Sequence, residues 1–168
     1  MVAGLTDDMV RLASCLVALL TLVPVVRATA QEAVSFGDWR AFCAPVAGCV
    51  LGVKSGQGDT LAFVESPFED RSLLLLLAEP VQGGSEIALS FDGRFVVALG
   101  PADGWRLIDS GVGPAVQIAP SIVRDGLMEP MRRRDRLDIV YRLDDGRERR
   151  VAFSLSGYAD TRGYADDG

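Results

Sequence analysis

The sequence predicts a mostly β protein: an antiparallel β-sandwich or small barrel of about nine short strands, with one short α-helix before the last hairpin. Three observations predict it. Short apolar runs are separated by Gly, Pro and Asp clusters at the spacing of small all-β domains, roughly every eight to twelve residues. The closing segment alternates apolar and polar residues in period two, as a half-buried strand requires. Only one stretch carries helical periodicity.

The first strands are Val34–Phe42 and Cys49–Lys54, flanking a turn marked by Pro45 and Gly48. Trp39 alternates with Ala41 and Cys43, which places it on a core face rather than on a binding surface. Thr60–Glu65 follows the turn Ser55-Gly-Gln-Gly-Asp59. Leu73–Leu77 is an unbroken leucine run. It is too short for an independent helix and reads as a strand buried on both faces. Ile87–Phe91 and Arg94–Leu99 join across Asp92-Gly93, a strong hairpin signal, because both turn residues tolerate positive φ. Trp105–Ile108 is a further short strand.

The helix follows. Ser121 is its expected N-cap and Asp125 supplies early negative charge. Ile122, Val123, Leu127, Met128 and Met131 fall on one stripe, while Gly126 and Pro130 keep the element short. Arg132, Arg133 and Arg134 stand at its C-terminal end, where the helix dipole favours cations. Then Leu137, Ile139, Tyr141 and Leu143 alternate with polar residues. Asp144-Asp145-Gly146 turns the chain into Arg149–Leu155, where Val151, Phe153 and Leu155 alternate again.

The N-terminus predicts export. Leu12–Val26 is an uncharged run, followed by Arg27 and then Ala28-Thr29-Ala30 ahead of Gln31. As a helix it would be about 22 Å long, short of the roughly 30 Å of a bilayer core. An apolar stretch ending in A-x-A is the pattern of a signal peptide, here residues 1–30 with cleavage between Ala30 and Gln31. Asp7 and Asp8 are unusual in the leading region, and a start at Met9 would leave Arg11 there instead. Cys15 lies near the start of the apolar run, the wrong place for a lipidated cysteine. The expected organisation is therefore the signal peptide, a single β-rich domain over 31–159, and a polar, frayed tail over 160–168. The expected location is the periplasm, with outer-membrane association or secretion as alternatives. After cleavage no apolar stretch is long enough to span a membrane as a helix. The segment 1–30 carries Asp7 and Asp8 against Arg11 and Arg27, so the net charge stays at −6 without it, which argues against a nucleic-acid binder.

Two cysteines then remain, Cys43 and Cys49. In an oxidising compartment an even pair is most simply a disulfide. The seven-residue loop contributes about 2.4 kcal/mol on the chain-entropy model. Five intervening residues do not fit C-x-x-C, and the chain has no histidine to complete a zinc site. That absence also removes Ser-His-Asp and Cys-His catalysis. Lys54 and Ser55 are adjacent on a strand and point to opposite faces, a poor Ser-Lys pair. No metal and no cofactor are expected.

Charged candidates are few. Arg132, Arg133, Arg134 and Arg136 form the densest cluster: a solvated helix end, or a patch for lipid headgroups, lipopolysaccharide phosphates or acidic glycans. Arg147, Arg149 and Arg150 would extend it if the last hairpin packs beside the helix. Glu69 and Asp70 with Glu79 could serve carboxylate hydrolysis, although nothing in the spacing requires it. Asp92 and Asp103 sit beside glycine as turn formers, and Asp144-Asp145-Gly146 lacks the spacing of a calcium loop.

Two stretches carry a family resemblance. Phe36-Gly37-Asp38-Trp39-Arg40, followed by Cys43 and Cys49, resembles the opening of the invasion-associated locus B family of exported bacterial proteins. Val151-Ala-Phe-Ser-Leu-Ser-Gly-Tyr158-Ala159 is similar to that family's final strand, which ends in Ser-Leu-x-Gly-aromatic. Many members carry a second cysteine pair before the helix. Gly111–Pro120 has none, so the resemblance is to a divergent member with one disulfide. It implies a β-rich periplasmic or outer-membrane-associated protein and supplies no catalytic residues. The expectation is thus a non-enzymatic domain of the bacterial cell envelope that binds an envelope protein, lipid headgroup or glycan. A secreted or surface-exposed host-interaction factor is the alternative, and a small carboxylate hydrolase the third reading.

Overall fold

Gly37 and Asp38 turn the chain inside what reads as one opening strand. Gly37 has a φ of +56°, which a side chain would resist. Val34–Phe36 (β1) therefore folds back on Trp39–Ala44 (β2). The computed structural model describes residues 33–44, 48–66, 69–101, 104–109 and 114–167. The export segment and the Ala30–Gln31 site lie outside these residues. The described residues all belong to one compact unit, Gln31–Gly168.

Nine more strands follow: Gly48–Lys54 (β3), Thr60–Ser66 (β4), Glu69–Leu76 (β5), Ile87–Phe91 (β6), Arg94–Leu99 (β7), Trp105–Asp109 (β8), Pro114–Ile118 (β9), Arg136–Arg142 (β10) and Glu148–Ser154 (β11). They form two antiparallel sheets. One has seven strands in the order β1-β2-β3-β4-β5-β9-β8, the other four in the order β11-β10-β6-β7. Each sheet keeps two free edges, so the architecture is a sandwich and not a closed barrel.

Strand β9 is the element the sequence hides. It inserts between β5 and β8, pairing Leu75 and Leu107 to either side of Val116. The leucine run is less buried than expected. Leu73 and Leu75 face the core, while Leu74 and Leu76 are only half-buried on the outer side.

The inner faces of the two sheets share one core, including Trp39, Leu51, Phe63, Leu75, Ile139 and Phe153. The helix before the last hairpin, α1, joins that core through Val123, Leu127 and Met131. It is a short α-helical turn (Pro120–Ile122), a π-helical turn (Val123–Leu127) and an α-helical stretch (Met128–Arg133). Ser121 is not its cap. Ala119 holds that position without a side-chain hydrogen bond, and Pro120 starts the helix, where its missing N–H is no loss. Pro130 has no N–H to offer the ladder, and the turn upstream of it is the widened one, with Met128 N–H donating to the Val123 carbonyl.

The expected polar tail is a second helix, α2 (Tyr158–Asp167), with Tyr158, Thr161 and Arg162 buried. It is held by aromatic contacts. Tyr158 meets Trp39 edge-on at 4.9 Å and Phe63 at 5.6 Å, and Tyr164 lies 5.7 Å from Phe36.

Candidate binding surface

The two motifs that carry the family resemblance meet in space. Trp39 Nε1 donates to the Ser154 carbonyl at 2.9 Å, and the Asp38 N–H donates to the Ser156 carbonyl at 3.1 Å. A Cβ on Gly157, whose φ is +87°, would overlap the Phe36 carbonyl oxygen. One on Gly37 would lie 2.7 Å from the Ser156 carbonyl oxygen. Each motif thus supplies a glycine because the other's backbone occupies the space beside it. The junction is a structural clasp between the start and the end of the domain.

The buried charges are also tied into the fold. Asp59 is fully buried. Its Oδ1 accepts the Ala78 N–H at 2.8 Å, and its Oδ2 accepts Arg149 Nη2 at 2.9 Å and the Ser55 hydroxyl at 3.3 Å. Glu79 pairs with Arg149 and, at 3.4 Å, with Arg147. Burial, with the nearby Asp59 and Glu79 carboxylates, pushes the Tyr141 phenol up to about 12 against the opposing pull of Arg149. A second network sits under α2. Arg162, 1% exposed, pairs with Glu65 and, at 2.6 Å, with Asp166. Arg71 reaches the same two carboxylates at 2.9 and 3.3 Å.

Cys43 and Cys49 form the expected disulfide, directly opposite one another at the end of the β2–β3 hairpin with Cα atoms 4.0 Å apart. The four arginines of the expected patch line the end of α1 and the start of β10, each beside a carboxylate. Arg133 meets Glu129 at 2.6 Å, Arg136 meets Asp138 at 2.5 Å, Arg134 meets Asp92 at 3.9 Å, and Arg132 meets Asp166 at 4.0 Å. Of the supposed extension, Arg147 and Arg149 are engaged by Asp145, Glu79 and Asp59, while Arg150 is exposed on β11. Asp145 accepts the Arg147 N–H and guanidinium, which holds its carboxyl below the usual range. Asp92 is a turn former, at a φ of +49° and accepting the Asp135 and Arg136 N–H groups. Of the expected acid group, Glu79 is bound by Arg147 and Arg149, and the side chains of Glu69 and Asp70 lie outside the described set, as does Asp103. Among the described residues no three His, Cys, Asp or Glu side chains converge on a metal position. An open polar cleft of about 420 Å³ over the four-stranded sheet has Gln82, Glu86, Arg142 and Glu148 among its lining residues.

Sequence reasoning missed the outer face of the seven-stranded sheet. The strand register fixes its members. Phe42, Val50 and Val64 lie side by side, with Leu74, Leu76 and Ile108 continuing the face toward the β8 edge. Phe42 and Val50 are 45% and 42% exposed. Arg40, Lys54 and Arg106 stand on the same face, all exposed. Arg106 donates to Gln117 at 2.7 Å, and Arg40 and Lys54 have no described carboxylate within ion-pair reach. No described acidic side chain points outward from these strands. Glu65 shares the parity of buried Phe63, and Asp109 that of buried Trp105. The signal was present as alternation on Arg40–Phe42 and Val50–Lys54, but the combined face exists only once seven strands are in register.

No family model matches the chain, and no curated protein matches it. Among solved structures it is similar to invasion associated protein B from Bartonella henselae, at 13% identity and a TM-score of 0.62. The match covers 81% of this chain and 96% of that one. The likeness is one of fold. No described helix is long and apolar enough to cross a membrane.

Proposed function

We propose that the chain is an exported, non-catalytic binding domain of the bacterial cell envelope, of the invasion-associated protein B type. The observation that supports this best is the shared fold, which covers nearly the whole of the solved protein. The clasp between Phe36-Gly37-Asp38-Trp39 and Ser154–Tyr158 gives the motif resemblance a physical basis, since each motif fits the other's backbone. An envelope location suits the Cys43–Cys49 disulfide, which an oxidising compartment would maintain. On this reading the periplasm is the working compartment, and the partner is an envelope protein, an anionic lipid or a glycan. Surface display toward a host is the variant suggested by the neighbour's name.

Fractionation tests the proposal. The full chain, expressed in a Gram-negative host, should be recovered from the periplasmic or envelope fraction, beginning at Gln31 and with Cys43 and Cys49 oxidised. Recovery from the cytosol with an intact N-terminus and free thiols would overturn it.

A further inference from the structure

We propose that the outer face of the seven-stranded sheet docks on an anionic lipid bilayer. Phe42 and Val50 enter the headgroup region, and Arg40, Lys54 and Arg106 meet the phosphates. The inference deepens the envelope reading, on which it rests only for access to lipid.

Charge complementarity carries the argument. The chain has a net charge of −6, yet this face shows three cations and no described acid. The described acids lie elsewhere, so an anionic surface would attract this side over the others. The arginines at the end of α1 offer less, because each lies beside a carboxylate.

The apolar part favours lipid over an acidic protein. Phe42 and Val50 are cross-strand partners one position inside the disulfide pair Cys43 and Cys49. The disulfide fixes the hairpin that carries them, so the apolar tip is held without further loss of chain entropy. Apolar side chains beside basic ones are what an interfacial element presents to headgroups. Arg40 and Lys54 are diagonal neighbours on β2 and β3, as Arg40 pairs with Gly52, two residues before Lys54. Diagonal neighbours are about 7–8 Å apart, close enough to act on one cluster of headgroups. Phe95 and Val96, also exposed, lie on β7 of the other sheet and are not part of this face.

The described core residues all fall within Gln31–Gly168, so a chain starting at Gln31 carries every one of them. Its sedimentation with phosphatidylcholine vesicles, with and without phosphatidylglycerol, tests the proposal and does not depend on export. Binding should require phosphatidylglycerol and weaken with salt. Lys54→Ala should weaken it about fivefold, and Arg40→Ala with Lys54→Ala about 25-fold. Phe42→Ser should weaken it at low salt as well. Lys54 is the sole lysine, so its acylation should slow when phosphatidylglycerol vesicles are present. The Arg132→Ala/Arg133→Ala/Arg134→Ala variant and Phe95→Ser should bind like the parent. Absence of binding, equal binding to neutral vesicles, loss in the helix variant alone, or capture by polyglutamate but not by vesicles would each overturn the proposal.

Discussion

The indole Nε1 of Trp39 donates a 2.9 Å hydrogen bond to the carbonyl of Ser154, 115 residues away. The first long strand is thereby fastened to the end of the last one. The glycines on either side permit the approach, and the closest is Gly157 against the Phe36 carbonyl. Gly157→Ala should therefore cost at least about 3 kcal/mol, from the positive-φ penalty together with the backbone displacement. Urea denaturation measures it. A loss under about 1 kcal/mol would mean that the clasp opens freely.

Gly163 offers the opposite case. It lies inside α2, exposed, with nothing near the position of an added Cβ. Gly163→Ala should stabilise the domain by about 0.5–1 kcal/mol through helix propensity. A rise in thermal midpoint relative to the parent is the expected result. An unchanged or lower midpoint would argue that α2 does not take part in the cooperative fold.

The disulfide prediction is independent of both. Cys43 and Cys49 close a short loop, so reduction should cost about 2.4 kcal/mol on the chain-entropy model. Denaturation with and without reductant measures this. The hairpin should survive reduction, because Phe42–Val50 and Ala41–Leu51 remain paired beside it.

What was legible in the sequence follows from how local each cause is. Ile87–Phe91 and Arg94–Leu99 stand where expected because Asp92 and Gly93 take φ values of +49° and +74°, a local demand that this dipeptide meets. Trp39 was placed in the core by its alternation with Ala41 and Cys43, and all three are buried. Strand β9 was not legible, because Pro114 and Pro120 bracket it and its partners are β5 and β8. Helix α2 looked like a polar tail because Arg162 appears solvent-seeking. Buried, it pairs with Glu65, 97 residues earlier, which no local window contains. The outer sheet face was invisible for a related reason: Arg40, Lys54 and Arg106 become neighbours of one apolar surface only through register.

Removing the buried charge at Asp59 gives a sharper test of the interior. Asp59→Ala leaves the buried Ala78 N–H without its acceptor and Arg149 with Glu79 alone. The expected loss is about 3–5 kcal/mol. Arg149→Met leaves Asp59 buried and uncompensated, and should cost a similar amount. The double variant should cost clearly less than the two losses summed, because it strands only the amide. Additive losses would show that the two side chains do not act as a pair.

The alkaline limit of stability should come from Tyr141 and Tyr158. Burial raises both phenols from about 10 to about 12. Burial penalises the phenolate, so the folded state holds the neutral form more tightly than the unfolded chain does. The unfolded state then binds fewer protons above pH 10, and stability falls as pH rises. The contribution is complete below about pH 10 and is lost by about pH 12, and is on the order of 2–3 kcal/mol for each tyrosine. Unfolding monitored by tyrosinate absorbance should show ionisation of the two phenols coinciding with loss of the fold. Tyr141→Phe or Tyr158→Phe should each flatten the decline over that window, since a phenylalanine ring keeps the packing and has no proton to release. If the decline keeps its slope in both variants, the alkaline transition has another source.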